Sequence, residues 1–166
     1  MAGTQTVAAV AQSDFAVEVS TNGSAWTAIC GEAVTLTVSG GEQPVGEAYT
    51  ACGEGAIVIG SNKHQPYEIT VTAIYTETAT TEAFDFIHDR FMGTAKTLAV
   101  RWAPKGGITT VVGNKVFNTS VSGTAVAAVP MLRCLPPAQD ASSANPAVFE
   151  FAVRSPLIYE SVSATS

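Results

Sequence analysis

Two histidines, three cysteines and one close pair of aspartates are the side chains from which a catalytic or metal site would have to be built. His64 lies in the polar run Ser61-Asn62-Lys63-His64-Gln65-Pro66, which reads as a solvated turn. His88 falls on the apolar side of a helical pattern, where a histidine packed into a core is the ordinary outcome. Asp85 and Asp89 are spaced i, i+4, an acidic pair that a solvated helix face explains without a catalytic role. Cys30, Cys52 and Cys134 are widely spaced, form no CxxC pair and have no histidine beside them to activate a thiolate. An odd count of that kind fits buried thiols in a reducing compartment better than a disulfide framework. HExxH, GxSxG and the P-loop are all missing from the sequence. The expectation is a chain that is not an enzyme, with no catalytic residue, no metal and no cofactor.

Nucleic-acid binding is a poor fit on charge. The 166 residues carry a formal net charge of −6. The first cation is Lys63, preceded by Asp14, Glu18, Glu32, Glu42, Glu47 and Glu54. Arg101, Lys105, Lys115, Arg133 and Arg154 are dispersed rather than gathered into a patch that could neutralise phosphates. Charged residues make up only 13% against 46% hydrophobic, which is low enough to suggest surface covered by partners. No signal-peptide pattern and no apolar run long enough to span a bilayer is visible, so neither export nor direct membrane insertion is expected.

The elements that would position these residues are mostly strands. Residues 15–20 alternate apolar and polar, Asn22-Gly23 signals a hairpin, and 25–29 reads as its return with Trp26 as an anchor. Residues 34–39, 56–59, 67–75, 97–102, 116–121, 125–131 and 149–154 follow as further strands. Residues 81–92 are the helical exception: Phe84, Ile87, His88 and Phe91 make one face at i, i+3, i+4, i+7. Thr80 or Thr81 would cap its start, and Gly93 would end it. The expected fold is mainly β: an antiparallel sandwich or barrel of about seven to nine strands with one flanking helix. Residues 1–14 read as a flexible arm, 15–160 as a single domain and 161–166 as a polar tail.

One stretch fits none of these patterns. Residues 40–55 are glycine-rich, hold three glutamates and no cation, and are far too long for a hairpin turn. Yet Pro44, Val45, Tyr49 and Cys52 are residues for which a purely solvated loop has little use. The expectation is a long loop built to dock.

Four segments, in order, resemble the tail tube (major tail) proteins of long, non-contractile-tailed bacteriophages. They are VTLTVSGGEQPVGEAY at 34–49, YEITVTAIYTE at 67–77 leading into the helix, LAVRWAPKGG at 98–107 and FEFAVRSPLI at 149–158. The resemblance runs from about Phe15 to Tyr159 and is carried by segment order rather than by any single signature. It implies a β-sandwich or barrel whose copies form hexameric rings, stacked into a hollow tube that conducts DNA during ejection into a host. Implied partners are the chain itself, a tape measure protein and a tail terminator, with DNA passing through the lumen without specific binding. The implied location is the virion, after assembly in the host cytoplasm.

By the same resemblance the long loop is the contact between rings, with Glu42, Pro44, Val45, Glu47, Tyr49 and Glu54 as its residues. A bore for DNA needs a wet surface that repels phosphate. The polar faces of the two clearest strands, Thr35, Thr37 and Ser39 with Glu68, Thr70 and Thr72, are its candidates, an ordinary outer face being the other reading. A capsid decoration protein or an immunoglobulin-like binding module would explain the same β pattern and acidity.

Overall fold

The computed structural model describes residues 9–29, 31–77 and 82–163. Alternation of apolar and polar side chains turns most of this length into antiparallel strand. The first stretch holds a single 3-10 turn, Gln12–Asp14, then β1 (Ala16–Ser20) and the short β2 (Thr27–Ala28). After these come β3 (Ala33–Gly40), β4 (Val45–Tyr49), β5 (Ala56–Gly60) and β6 (Tyr67–Ile74). A single helix, α1 (Ala83–Met92), precedes β7 (Thr97–Ala103), β8 (Lys115–Ser120), β9 (Val129–Leu135), β10 (Val148–Ser155) and β11 (Leu157–Val162). The mainly β architecture with one helix is as expected. The strand count is higher, because β4 lies inside the expected loop and β11 at residues 157–162, where no strand was expected and the last two fall in the expected polar tail.

Two layers form the domain. One joins β2, β1, β7, β8 and β11; the other runs β3, β6, β10, β9. They are stitched where the first residues of β7 pair with β9, Thr97 opposite Pro130 and Leu98 opposite Val129. The chain passes between layers at Ser155-Pro156: proline cannot continue a ladder, so β10 ends there and β11 starts in the other sheet. Ser155 makes the corner firm. Its fully buried hydroxyl accepts from the Ser120 N–H at 3.0 Å and donates to the Leu157 carbonyl at 2.6 Å.

Period-two patterning decides what lies between the layers. Val17, Val19, Leu98, Val100 and Trp102 of one sheet share a core with Ile69, Val71, Ala73, Phe149, Phe151 and Val153 of the other. Phe149 and Phe151, almost wholly buried, are the largest side chains to disappear from solvent, and burial of this kind contributes ~25 cal/mol per Å². The helix closes one side against β7 and β9. Ile87 is buried, and Phe84 meets Tyr75 and Phe149 edge-on at 5.3 and 5.2 Å and stacks on His88 at 5.1 Å. Phe91 packs on the same core, so the four residues expected on the apolar face share it.

Several details differ from expectation. The helix begins at Ala83 after Glu82 in extended backbone, and the expected caps Thr80 and Thr81 lie outside the described residues, as does Cys30. Gly93 ends the helix with φ −72°, so it uses none of glycine's left-handed freedom. The strand expected at 125–131 is displaced to Val129–Leu135, because 121–128 is a turn held by Ser120 Oγ, which donates to the Ala125 carbonyl at 2.6 Å. Trp26 is half-buried and covers Arg101, at 4.1 Å, rather than anchoring the core.

Candidate assembly surfaces

Residues 40–55 are not an open loop. β4 pairs antiparallel with β5 in full register, Val45 opposite Gly60 through Tyr49 opposite Ala56, and the pair belongs to neither layer. The correction has a simple origin. The run Ala56-Ile57-Val58-Ile59 needs a partner, and the nearest extended segment able to turn back on it is Val45–Tyr49. The tip, residues 50–55, supplies the turn and displays Cys52 to solvent. Cys52 is therefore exposed, against the expectation of a buried thiol, whereas Cys134 is buried.

The hairpin is an arm. Below β4 and β5 the chain remains bridged: Ser61 N–H donates to the Pro44 carbonyl and Gln65 N–H to the Glu42 carbonyl, both at 2.8 Å. The Gln43 side-chain amide also reaches the Ser61 carbonyl. Gly40 and Gly41, at φ +84° and +74°, turn the chain from β3 into this ribbon. A side chain at Gly41 would run into the Tyr67 ring, so this junction requires glycine for conformation and for space.

Both faces of the arm are apolar and open. Tyr49 is 78% exposed, Ile59 67%, Val58 60% and Val45 55%. Glu42, Pro44, Glu47 and Glu54 are exposed as well, so all six residues expected at a docking loop sit on this one projecting element. Ile57, Val58 and Ile59 belong with them; the sequence shows them plainly as an apolar run, which alone does not say that no core receives it. An isolated two-stranded hairpin is marginal in water, and exposed apolar surface rimmed by acid is the mark of an interface.

The second surface is the outer face of the β3–β6–β10–β9 sheet. Register sets Thr35 opposite Thr72, Thr37 opposite Thr70 and Ser39 opposite Glu68, so the six polar residues expected to share a face do share it. β10 adds Glu150, Ala152 and Arg154, and β9 adds Arg133. Arg133 was not among the expected residues. Its Nε donates to Glu150 and its Nη1 to Glu68, each at 2.7 Å, and its Nη2 to Thr70 at 3.4 Å. Those carboxylates hold the guanidinium even more firmly protonated than usual, through the bond to Glu150 first and that to Glu68 second. No local signal could have shown this, because the four residues come from three strands far apart in sequence.

The edges of this sheet matter as much as its face. Among the described residues, β3 pairs with β6 alone, and β9 past Met131, whose N–H still donates to the Lys96 carbonyl at 3.0 Å, pairs with β10 alone. A four-stranded sheet with two bare edges can be extended by another copy at each side. Along the β3 edge an open groove of about 660 Å³ is lined by Val10, Phe15, Val34, Leu36, Trp102 and Pro104, among others.

Elsewhere a few charges are held by partners within the fold. Arg101 donates to Glu18 at 2.7 Å, Lys115 pairs with Glu160 at 2.7 Å, and Arg90 donates to the Thr97 carbonyl at 2.9 Å. Asp85 and Asp89 are exposed on the helix, and His64 is exposed in its turn.

Comparison with solved structures gives the fold. The chain resembles one from the sheath-tube complex of an extracellular contractile injection system, PVC, in the extended state. The TM-score is 0.62 at 16% identity, covering 94% of this chain and 93% of that one. A chain from the anti-feeding prophage (AFP) baseplate matches with TM-score 0.63 at 12% identity, over 95% and 97%. A chain from the tail of an empty GTA particle, solved with C6 symmetry, matches with TM-score 0.53 at 12% identity, over 94% and 100%. This is a fold of phage-like tail machines. It extends over nearly the whole chain. No family model and no curated protein sequence matches.

Proposed function

We propose that this chain is a structural tube subunit of a phage-like tail or injection machine. Copies join side by side through the bare edges of β3 and β9 into hexameric rings, and the arm of each copy docks on a neighbouring ring. The hydroxyl-rich face of the β3–β6–β10–β9 sheet then lines the bore, through which DNA passes. A closed ring of sheets leaves no edge unpaired, which removes the aggregation hazard of the lone subunit. Partners are other copies and the proteins that measure and terminate the tube, and the place is the assembled particle. The setting favoured is a contractile machine rather than the non-contractile tail that the sequence resembles, because the PVC likeness is to a sheath-tube complex.

The observation that carries this reading is the apolar arm, exposed on both faces among the described residues. Its test is a double variant, Val45→Asp with Tyr49→Ala. Both side chains are exposed, so the domain should fold with a circular-dichroism spectrum and thermal midpoint like the parent. By sedimentation and negative-stain microscopy the parent should form rings and hollow tubes, and the variant should stop at single subunits or single rings. Tubes of normal length from the double variant would reject the arm as the contact between rings.

A further inference from the structure

The outer face of the β3–β6–β10–β9 sheet carries two arginines and two glutamates, used unequally. Arg133 leaves β9 beside Ala152, its neighbour in register on β10, and reaches beyond it to Glu68 and Thr70 on β6. Ala152 is wholly buried although its strand position faces outward. Three guanidinium nitrogens are engaged, two of them with carboxylates at 2.7 Å. Arg154 stands opposite Glu68 nearer the end of the sheet, exposed and in no ion pair among the described residues. Around the Arg133 group lie Thr35, Thr37, Thr70 and Thr72, which offer hydroxyls and no charge.

We propose that Glu68 and Glu150 mask Arg133, so that the middle of this face presents no guanidinium able to grip a phosphate and a polyanion slides across it. The inference rests on the reading that the face lines a bore. A free arginine is a bidentate phosphate clamp, and a ring of copies would repeat the clamp until retention became strong. Flanking the cation with two carboxylates gives a local charge of −1 while keeping the arginine as a staple across three strands. The bore is non-adhesive by local neutralisation, with hydroxyls between, rather than by a dense lining of acid.

The test uses the soluble full-length chain and a fluorescein-labelled single-stranded oligonucleotide at low salt, read by anisotropy. Glu68→Gln with Glu150→Gln should bind at least about tenfold more tightly than the parent. The gain should fade with added salt, return to the parent value when Arg133→Gln is added, and persist when Arg154→Gln is added instead. A folded double variant that binds no better than the parent, or a gain that survives Arg133→Gln, overturns the masking. If the double variant fails to fold, Glu150→Gln alone carries the same comparison, with a smaller gain. Labelling at position 37 of Thr37→Cys in a Cys52→Ser background, by a bulky maleimide in assembled particles and read by peptide mass, separates this from the bore reading. Ready labelling would place the face outside and overturn the sliding role whatever the oligonucleotide does.

Discussion

Cys134 and Cys52 show how far apart two thiols in one small chain can stand. Burial pushes the Cys134 thiol up to about 11 from 9.0, and Cys52 is exposed at the tip of the arm. A raised folded-state value means that the native protein holds its proton where the unfolded chain has lost it. The contribution of Cys134 to stability is therefore complete below pH 9 and is lost as pH rises from 9 toward 11. Cys134→Ala should accordingly lose less stability than the parent between pH 8 and pH 10.5, measured by urea midpoints at each pH. In native protein at pH 8, iodoacetamide should modify Cys52 and spare Cys134, as peptide mass analysis would show. The sequence presents the two cysteines alike. What separates them is that Cys134 lies opposite Phe151 in β10 while Cys52 lies in a turn with nothing above it. Arg133, the adjacent residue, was likewise illegible, because its meaning depends on Glu68 and Glu150 arriving from other strands.

At the scale of elements, period-two alternation did most of the work of prediction. β3 and β6 were readable because each alternates apolar with polar residues, and their register matches the apolar faces, Leu36 opposite Val71 and Val38 opposite Ile69, although only β6 buries its own. β4 was not readable, since Val45-Gly46-Glu47-Ala48-Tyr49 has no core to alternate against and both its faces are open. Its partner β5 was recognised as strand, but the sequence says nothing about which neighbour it takes. The last strand was hidden for a different reason. Leu157–Val162 is an edge strand covered on one side only, and its pairing with β8 depends on the corner at Pro156. The junction at Gly41 makes an element-level prediction. Gly41→Ala places a methyl group against Tyr67 at a φ of +74°, so it should cost about 1 kcal/mol or more in urea denaturation. It should also block tube growth by turning the arm off its line, while rings of the variant still form. A variant with parental stability and parental tubes would show that the junction does not aim the arm.

For the whole molecule, the dominant fact is incompleteness. Among the described residues, one sheet ends in two bare edges, the arm is apolar on both faces, and the groove beside β3 stands open. Composition hinted at this, since so few charges for so much surface is unusual, but which surfaces need cover is decided only when non-local strands come together. Val38→Lys tests the edge. Val38 is half-exposed on β3, so lysine there should change the thermal midpoint of the isolated chain little. A charge on an edge is a recognised obstacle to strand addition, and sedimentation should find single subunits where the parent gives rings. Rings formed as readily by Val38→Lys would move the lateral contact away from β3.

The glycine pair at the root of the arm has one more consequence. Gly40, the last residue of β3, and Gly41 after it lead the chain toward the arm at positive φ, with no side chains of their own. In a stacked assembly such junctions would be the compliant joints, recurring at every level while the sheets on either side stay rigid. Bending of the whole filament would then be absorbed as small changes of arm angle at these joints, leaving the diameter of the channel unchanged along a curve.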